Sequence, residues 1–445
     1  MMLSPIKYAF LTVLSFVSVG TYGQNEPSPE PADTVMTLEA CLVKAMAGNY
    51  DVLLSRNELE IAENRVSLAP FLPKLDASSQ LSGSESTART HQSDGSRSTG
   101  STRSLGVNNR LQASWVLFDG WNMFASYDKQ RELLSQGQLS FRAEMEQLVL
   151  DLSVQFYHII NLQSQVHLMQ ELVSISQQRY QQALTRYRIG ADSGLEYKQA
   201  QIYLNRDSSE LLLQMEHLKN AYVDLNRLMN VSLNARYVVS DSIRPLPTIQ
   251  YESVRECAFR HNTQLQAILL GQRVAALDVQ LAQSKRWPSL TASAGYTYNT
   301  SRSAYFPDRY DDVNGPNWGV QLSIPLFHGS EIHRAVKEAK LRRKAAELSY
   351  DQTRQELEAQ LMQEYNLYSN NMRMIDFEEQ SRDAAQMNME AAMEKYRIGS
   401  LSGIEFRDYQ QSYLDASARK LNALYQTKIS EITLQLLMGT LQNKP

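Results

Sequence analysis

Tyr187-Arg188-Ile189-Gly190-Ala191-Asp192-Ser193-Gly194-Leu195-Glu196 and Tyr396-Arg397-Ile398-Gly399-Ser400-Leu401-Ser402-Gly403-Ile404-Glu405 are one motif written twice, the second 209 residues after the first, from 187 to 396. Tyr, Arg, Ile, Gly, Ser, Gly and Glu recur without a gap. Each copy interrupts a long helical spacing of apolar residues that resumes directly after it. Paired glycines with a serine supply the left-handed and turn conformations of a sharp helix reversal. The motif therefore predicts two helical hairpins, with tip turns at Gly190, Gly194, Gly399 and Gly403. Length alone would divide 445 residues into about two or three domains. A repeat this long predicts one fold made of two like halves.

Outward from the first tip, residues 122–187 carry Phe141, Met145, Leu148, Leu152, Phe156, Ile159, Val166, Met169, Val173, Tyr180 and Leu184 at steps of threes, fours and sevens. Such a helix is on the order of 100 Å long and needs coiled-coil partners. The chain returns over 195–229. Upstream, the period falls to two. Leu75, Ala77, Ser79 and Leu81 alternate with polar residues, as do Val107, Asn109, Leu111, Ala113, Trp115 and Leu117. This predicts a hairpin over 74–118, with strands of about nine to eleven residues and a polar loop at 83–104. A helix over 36–69, capped by Thr37, precedes it and stops at Leu72-Pro73. After a linker at 231–250 the order repeats: a helix over 253–285 ending at Trp287-Pro288, a hairpin at 289–327 with a polar loop at 299–317, then helices over 331–396 and 403–438. Leu326-Phe327-His328-Gly329 echoes Leu117-Phe118-Asp119-Gly120. Repeat 1 thus covers 36–230, repeat 2 covers 251–439, and 440–445 is a tail.

Each strand has one apolar face, and Phe71, Trp115, Phe118, Trp121, Trp287, Trp318 and Phe327 mark the strand ends. That is the pattern of a membrane β-barrel with aromatic girdles. The opposite face, with Asn108, Arg110, Gln112, Ser114, Thr291, Ser293, Gln321 and Ser323, is expected to line a lumen. Four strands cannot close a barrel, and open edges are not tolerated in lipid. Three chains would give about twelve strands, an even number in the usual range. The fold class is therefore mainly α with a membrane β-barrel, and in a trimer the long helices can pack side by side around a central channel. Residues 1–23 read as a signal peptide: Lys7, an apolar run over 8–19, then small residues before Gln24. Residues 24–35 form a Pro/Glu-rich lead-in.

The net charge of −4 gives no case for nucleic acid. The basic cluster Arg334, Lys337, Lys340, Arg342, Arg343 and Lys344 reads as a solvated helical face. Cys41 and Cys257 lack a framework spacing and read as small residues on buried faces, with one disulfide as the alternative. The seven histidines have neither metal-ligand spacing nor a nucleophile partner, and no phosphate loop is present. No enzyme activity and no cofactor are expected.

In the doubled Tyr-Arg-Ile-Gly tips, the Leu-Phe-Asp/His-Gly element and the helix–hairpin–helix order of both halves, the chain resembles the TolC family of outer-membrane efflux proteins. The resemblance covers nearly all of the mature chain. It implies a homotrimer whose twelve-stranded outer-membrane β-barrel is continuous with a long periplasmic α-helical barrel, the exit duct of a tripartite efflux pump or type I secretion system of a Gram-negative-type cell. It also implies a periplasmic adaptor and an inner-membrane transporter as partners, with outer-membrane lipid around the barrel. The family closes its periplasmic tip with acidic rings and a tyrosine–aspartate bond. The matching positions are Glu405 and Asp408 for the rings and Tyr396 with Glu196 for the bond, and Tyr187 opens the first copy of the motif. The family's tip arginine is replaced by Leu401. A secreted coiled-coil scaffold or adhesin without a pore is the competing reading. It gives no reason for strands with one apolar and one polar face.

Overall fold

The computed structural model describes residues 35–441 apart from 92–94, 96, 192–193, 247–248 and 304–309. The expected signal peptide, nearly all of the 24–35 lead-in and most of the tail lie outside the described residues. The chain runs as β1 (Val35–Met36), α1 (Leu38–Gly48), α2 (Tyr50–Arg65), a 3-10 turn (Ala69–Phe71), β2 (Lys74–His91), β3 (Arg97–Phe118), α3 (Asn122–Arg188) and α4 (Leu195–Leu228). It continues as β4 (Val238–Val239), α5 (Tyr251–His261), α6 (Thr263–Ser284), β5 (Ser289–Ser303), β6 (Tyr310–Ser323), α7 (Glu331–Arg397) and α8 (Gly403–Leu437). The long helices α3 and α7 have 67 residues each.

Several expectations are corrected. The helix expected over 36–69 is broken at Asn49, and the one over 253–285 at Asn262. Both asparagines take an extended backbone, and their side chains cap the helix that follows. Asn49 Oδ1 accepts from the Asp51 and Val52 N–H groups at 2.9 and 3.3 Å, and Asn262 Oδ1 from Leu265 N–H at 2.9 Å. Their Nδ2 groups donate to the Leu228 and Leu437 carbonyls, at the ends of α4 and α8. Each break is thus bonded to a returning helix, which an isolated stretch of sequence does not reveal. Thr37 caps α1 as expected, accepting from Ala40 N–H.

The loops expected at 83–104 and 299–317 are largely strand. β2 and β3 have 18 and 22 residues, β5 and β6 have 15 and 14. Ser and Thr are frequent in the extensions of β2, β3 and β5, and Asp and Asn in that of β6, where ladder pairing satisfies the backbone without apolar alternation to announce it. β6 ends at Ser323, short of the expected 327, because Pro325 follows. The linker and the lead-in are joined by a short parallel pairing, Val35 with Val238 and Met36 with Val239, which the sequence did not announce.

The four long strands form one antiparallel sheet in the order β2-β3-β5-β6. Beneath it the long helices carry the core. One apolar cluster gathers Leu152, Phe156, Ile159 and Leu225 with Cys41 and Val52, and a second gathers Val254, Leu361, Tyr368 and Leu434. A third, small cluster of Ala392, Tyr396 and Phe406 lies at the tip, with Leu401 packed against it. Both cysteines are free; Cys41 is buried and Cys257 half-buried. The basic cluster on α7 is exposed, with Arg342 and Arg343 paired to Glu338 and Glu347.

Candidate functional site

Residues opposite one another across a ladder share a face. Ser114 faces Lys74 and Ser293; Gln112 faces Asp76 and Gly295; Arg110 faces Ser78 and Thr297; Asn108 faces Gln80 and Asn299. Thr291 faces Val116 and Gln321, and Ser323 faces Ser289. All eight residues expected on the polar face therefore lie on one side of the sheet. Leu75, Ala113, Ala294 and Trp318 cross the other side in one row, and Trp115, Ala292 and Val320 in the next. Leu117 is displaced from its expected row. A register shift between Val116 and Phe118 sets Phe118 opposite Leu290 instead.

At the tips, Gly190, Gly194 and Gly399 take φ of 75°, 83° and 82°, as reversal requires. Gly403 has another role, inside the first turn of α8. A Cβ there would stand 2.5 Å from Arg179 Nη2 and 3.0 Å from Glu196 Oε1. Gly403 leaves room for side chains from the first hairpin.

The structure separates the five candidate gate residues. Tyr396 is fully buried and stacks on Phe406 at 5.5 Å. Its hydroxyl and Glu196 Oε1 are both buried and close enough to interact, yet neither completes a hydrogen bond of ordinary geometry. Burial, then the Glu196 carboxylate, pushes the Tyr396 hydroxyl up to about 12, and Arg179 pulls the other way. Glu405 points elsewhere. It forms a capping box with Ser402, whose N–H and hydroxyl donate to Glu405 Oε2 at 3.0 and 2.8 Å. These bonds hold the Glu405 carboxyl below the usual carboxylate range. Asp408 is exposed on the same helix. Tyr187 is half-exposed and lies against Tyr197, ring centroids 4.7 Å apart.

The polar centre that joins the hairpins was not anticipated. Arg407 of α8 forms a two-pronged ion pair with Asp207 of α4, at 2.7 and 2.8 Å, both side chains being under a tenth exposed. Ser176 of α3 donates to Asp207 at 2.6 Å, and Gln410 donates to Ser176 at 2.9 Å. Arg179 is 2% exposed, with its guanidinium over the rings of Tyr203, Tyr396 and Phe406. Arg186 crosses from α3 to donate to the Tyr396 and Arg397 carbonyls at 2.7 and 3.1 Å. Leu401 supplies no cation, and two arginines of α3 stand at Tyr396 instead. The signal lay in α8, where Arg407 and Gln410 occupy the buried spacing of Gly403, Phe406 and Ser417. Among the described residues no group of His, Cys, Asp and Glu is placed to hold a metal, and no helix is long and apolar enough to cross a membrane.

A two-faced antiparallel sheet set on paired helices of this length defines a channel-type protein whose membrane element is β rather than α. The chain belongs to the outer membrane efflux protein family, whose sequence pattern matches residues 42–231 and 255–440. The outer membrane protein TolC of Vibrio cholerae is 24% identical over 344 residues, covering 75% of each chain. The alkaline protease secretion protein AprF of Pseudomonas aeruginosa is 23% identical over 346 residues, covering 74% of this chain and 69% of AprF. The crystal structure of the Campylobacter jejuni CmeC outer membrane channel shares the fold, with a TM-score of 0.75 at 18% identity over 91% of this chain and 85% of that one. The protein is an outer-membrane exit channel of the efflux and secretion class. Its family is one of channels rather than enzymes.

Proposed function

We propose that three copies of this chain form a passive duct across the outer membrane and periplasm, coupled to a periplasmic adaptor and an inner-membrane transporter. One observation carries the reading: a four-stranded sheet with an apolar and a polar face ends in two unpaired edges, β2 and β6. Lipid cannot satisfy those edges, so further strands must. The polar face with Asn108, Arg110, Gln112, Ser114, Thr291, Ser293, Gln321 and Ser323 then lines the lumen. The tips are the periplasmic gate, held by Tyr396 beside Glu196, with the exposed Glu405 and Asp408 facing the axis. Tyr187 closes the first tip turn against Tyr197.

The native mass of outer-membrane extracts should be that of a trimer, and the purified trimer should conduct in planar bilayers. Glu405→Ala with Asp408→Ala should lower cation selectivity. A monomeric native mass would sink the duct. Unchanged selectivity in an intact trimer would move the gate away from these carboxylates.

A further inference from the structure

The chain builds the junction between sheet and long helix twice, and its two halves put different chemistry there. Phe71-Leu72-Pro73 before β2 corresponds to Arg286-Trp287-Pro288 before β5. Leu117-Phe118-Asp119-Gly120-Trp121 after β3 corresponds to Leu326-Phe327-His328-Gly329-Ser330 after β6. The same alignment sets Phe124, in the first turn of α3, against His333 in the first turn of α7.

In the first half, rings fill this place. Phe71 meets Phe124 edge to face with centroids 5.1 Å apart, and Phe124 meets Trp121 at 5.5 Å. Asp119 closes the start of α3, its carboxylate accepting from Met123 N–H at 3.2 Å and from Asn122 Nδ2 at 3.3 Å. In the second half the three rings give way to Arg286, Ser330 and His333, and the carboxylate to His328. The plug becomes a cavity of about 350 Å³, lined by Arg286, His328, Ser330 and His333, with Leu326 and Phe327 in its wall. Ile332, the counterpart of Met123, also lines it. An amide in the first turn has no intrahelical partner, and here no side chain caps the helix. Glu331 is the one acid among the lining residues. Arg286 has no ion-pair partner among the described residues, whereas Arg342 and Arg343, further along α7, are paired.

The cavity lies at a membrane boundary. Ser289 and Ser323, opposite one another, end the sheet on the periplasmic side, where the chain runs into the long helices. The apolar face reaches this end through Leu290 opposite Leu322. Beyond it Leu326 and Phe327 are 91% and 82% exposed. Bare apolar side chains beside unpaired cations, at the foot of an apolar sheet face, suit the level where acyl chains meet headgroups.

We propose that this cavity binds the phosphodiester of an anionic phospholipid from the periplasmic leaflet of the outer membrane. The Arg286 guanidinium takes the phosphate in its fork. His328 and His333 each present a ring N–H whatever their charge, and the Ile332 N–H adds a backbone donor. The acyl chains run up the apolar face past Leu326 and Phe327. A zwitterionic headgroup would bring its own cation among these groups, and a glycerol headgroup would not, so the site selects the anionic lipid. The inference uses the placement of the sheet in the outer membrane and is independent of how many copies assemble.

Native mass spectrometry of the full-length protein, extracted from outer membranes in detergent, tests the site by counting bound lipid. Titrated with phosphatidylglycerol, the protein should retain about one lipid per chain, since only the second half carries the cavity. Phosphatidylcholine should be retained at least about tenfold less, as should phosphatidylglycerol in Arg286→Gln with His333→Gln. Arg286→Phe with His333→Phe rebuilds the aromatic plug of the first half and should abolish retention at an unchanged native mass. Lys340→Gln with Lys344→Gln, further along α7, should retain the lipid as the unmodified protein does. Equal retention of the two lipids, or full retention in the Arg286→Gln, His333→Gln protein, overturns the proposal. Displacement of phosphatidylglycerol by millimolar inorganic phosphate would assign the cavity to the free ion and overturn the lipid. Copy number is read from the same spectra, so failure of the trimeric duct and failure of the lipid site are seen separately.

Discussion

The two tips carry nearly the same letters and use them differently. In the second, Ser402 and Glu405 cap α8 with one another, so the glutamate serves its own helix and faces solvent. In the first, α4 begins at Gly194 with no side-chain cap, and Glu196 turns inward with Oε1 buried beside Tyr396. The tyrosines diverge as well. Tyr396 is buried under Arg179 and Arg186, while Tyr187 is 44% exposed. A repeated motif therefore fixes the turn but not the environment of its side chains. The environment comes from which hairpin leans on which: α3 supplies Arg179 and Arg186 to the second tip.

The strongest way to break this asymmetry is Asp207→Ala. It leaves Arg407 buried and unpaired, a change that costs on the order of 3–5 kcal/mol. Thermal unfolding should show the loss, and protease should enter the tips first. An unchanged melting temperature would mean that the hairpins are held together elsewhere. Alkaline titration sharpens the contrast between the tyrosines. Tyr396, raised by burial and Glu196, is neutral in the folded tip until about pH 12. An unfolded tyrosine ionises near pH 10, so its contribution is complete below that and lost as pH rises from about 10 to 12. Ultraviolet titration should show late-ionising tyrosines, of which one disappears in Tyr396→Phe while Tyr157, pushed up to about 12 by burial, remains.

Two smaller effects belong to the second tip alone. Ser402→Ala removes an N-cap and should cost about 1 kcal/mol, read as faster hydrogen exchange at the start of α8. The start of α4 should be unaffected. Acidification is gentler still. Glu405 is held below the usual carboxylate range by Ser402. Its contribution is therefore present above that range and lost as pH falls through the lowered value. Protection at the first turn of α8, taken relative to the intrinsic exchange rate at each pH, should fall with acid, and in Glu405→Gln it should no longer depend on pH.

Most of the architecture was legible because periodicity can be read from a single chain. The long helices repeat their apolar spacing for many turns, and the polar face of the sheet follows from alternation at residues such as Asn108 and Gln112. What escaped depends on single groups meeting across long separations. Asn49 and Asn262 break helices because each also bonds to the end of a returning helix. The strand extensions past Gly83 and Asn299 are rich in Ser and Thr with interspersed charges, which pair well but do not alternate in polarity. The spacing of α8 could mark Arg407 as buried, but its charge is balanced by Asp207, 200 residues away, which no local window reveals.

The two long helices have the same length, 67 residues each. Each residue advances a helix by 1.5 Å and turns it by about 100°. Equal counts keep both tips level below the sheet and in the same angular phase. One residue inserted into α3 alone would swing Ser176, Arg179 and Arg186 about 100° around the axis, away from Gln410 and Tyr396, while the rim stayed in place. These helices behave as a matched pair of shafts whose timing is set by counting, so evolution can exchange their surface residues freely but can change their length only together.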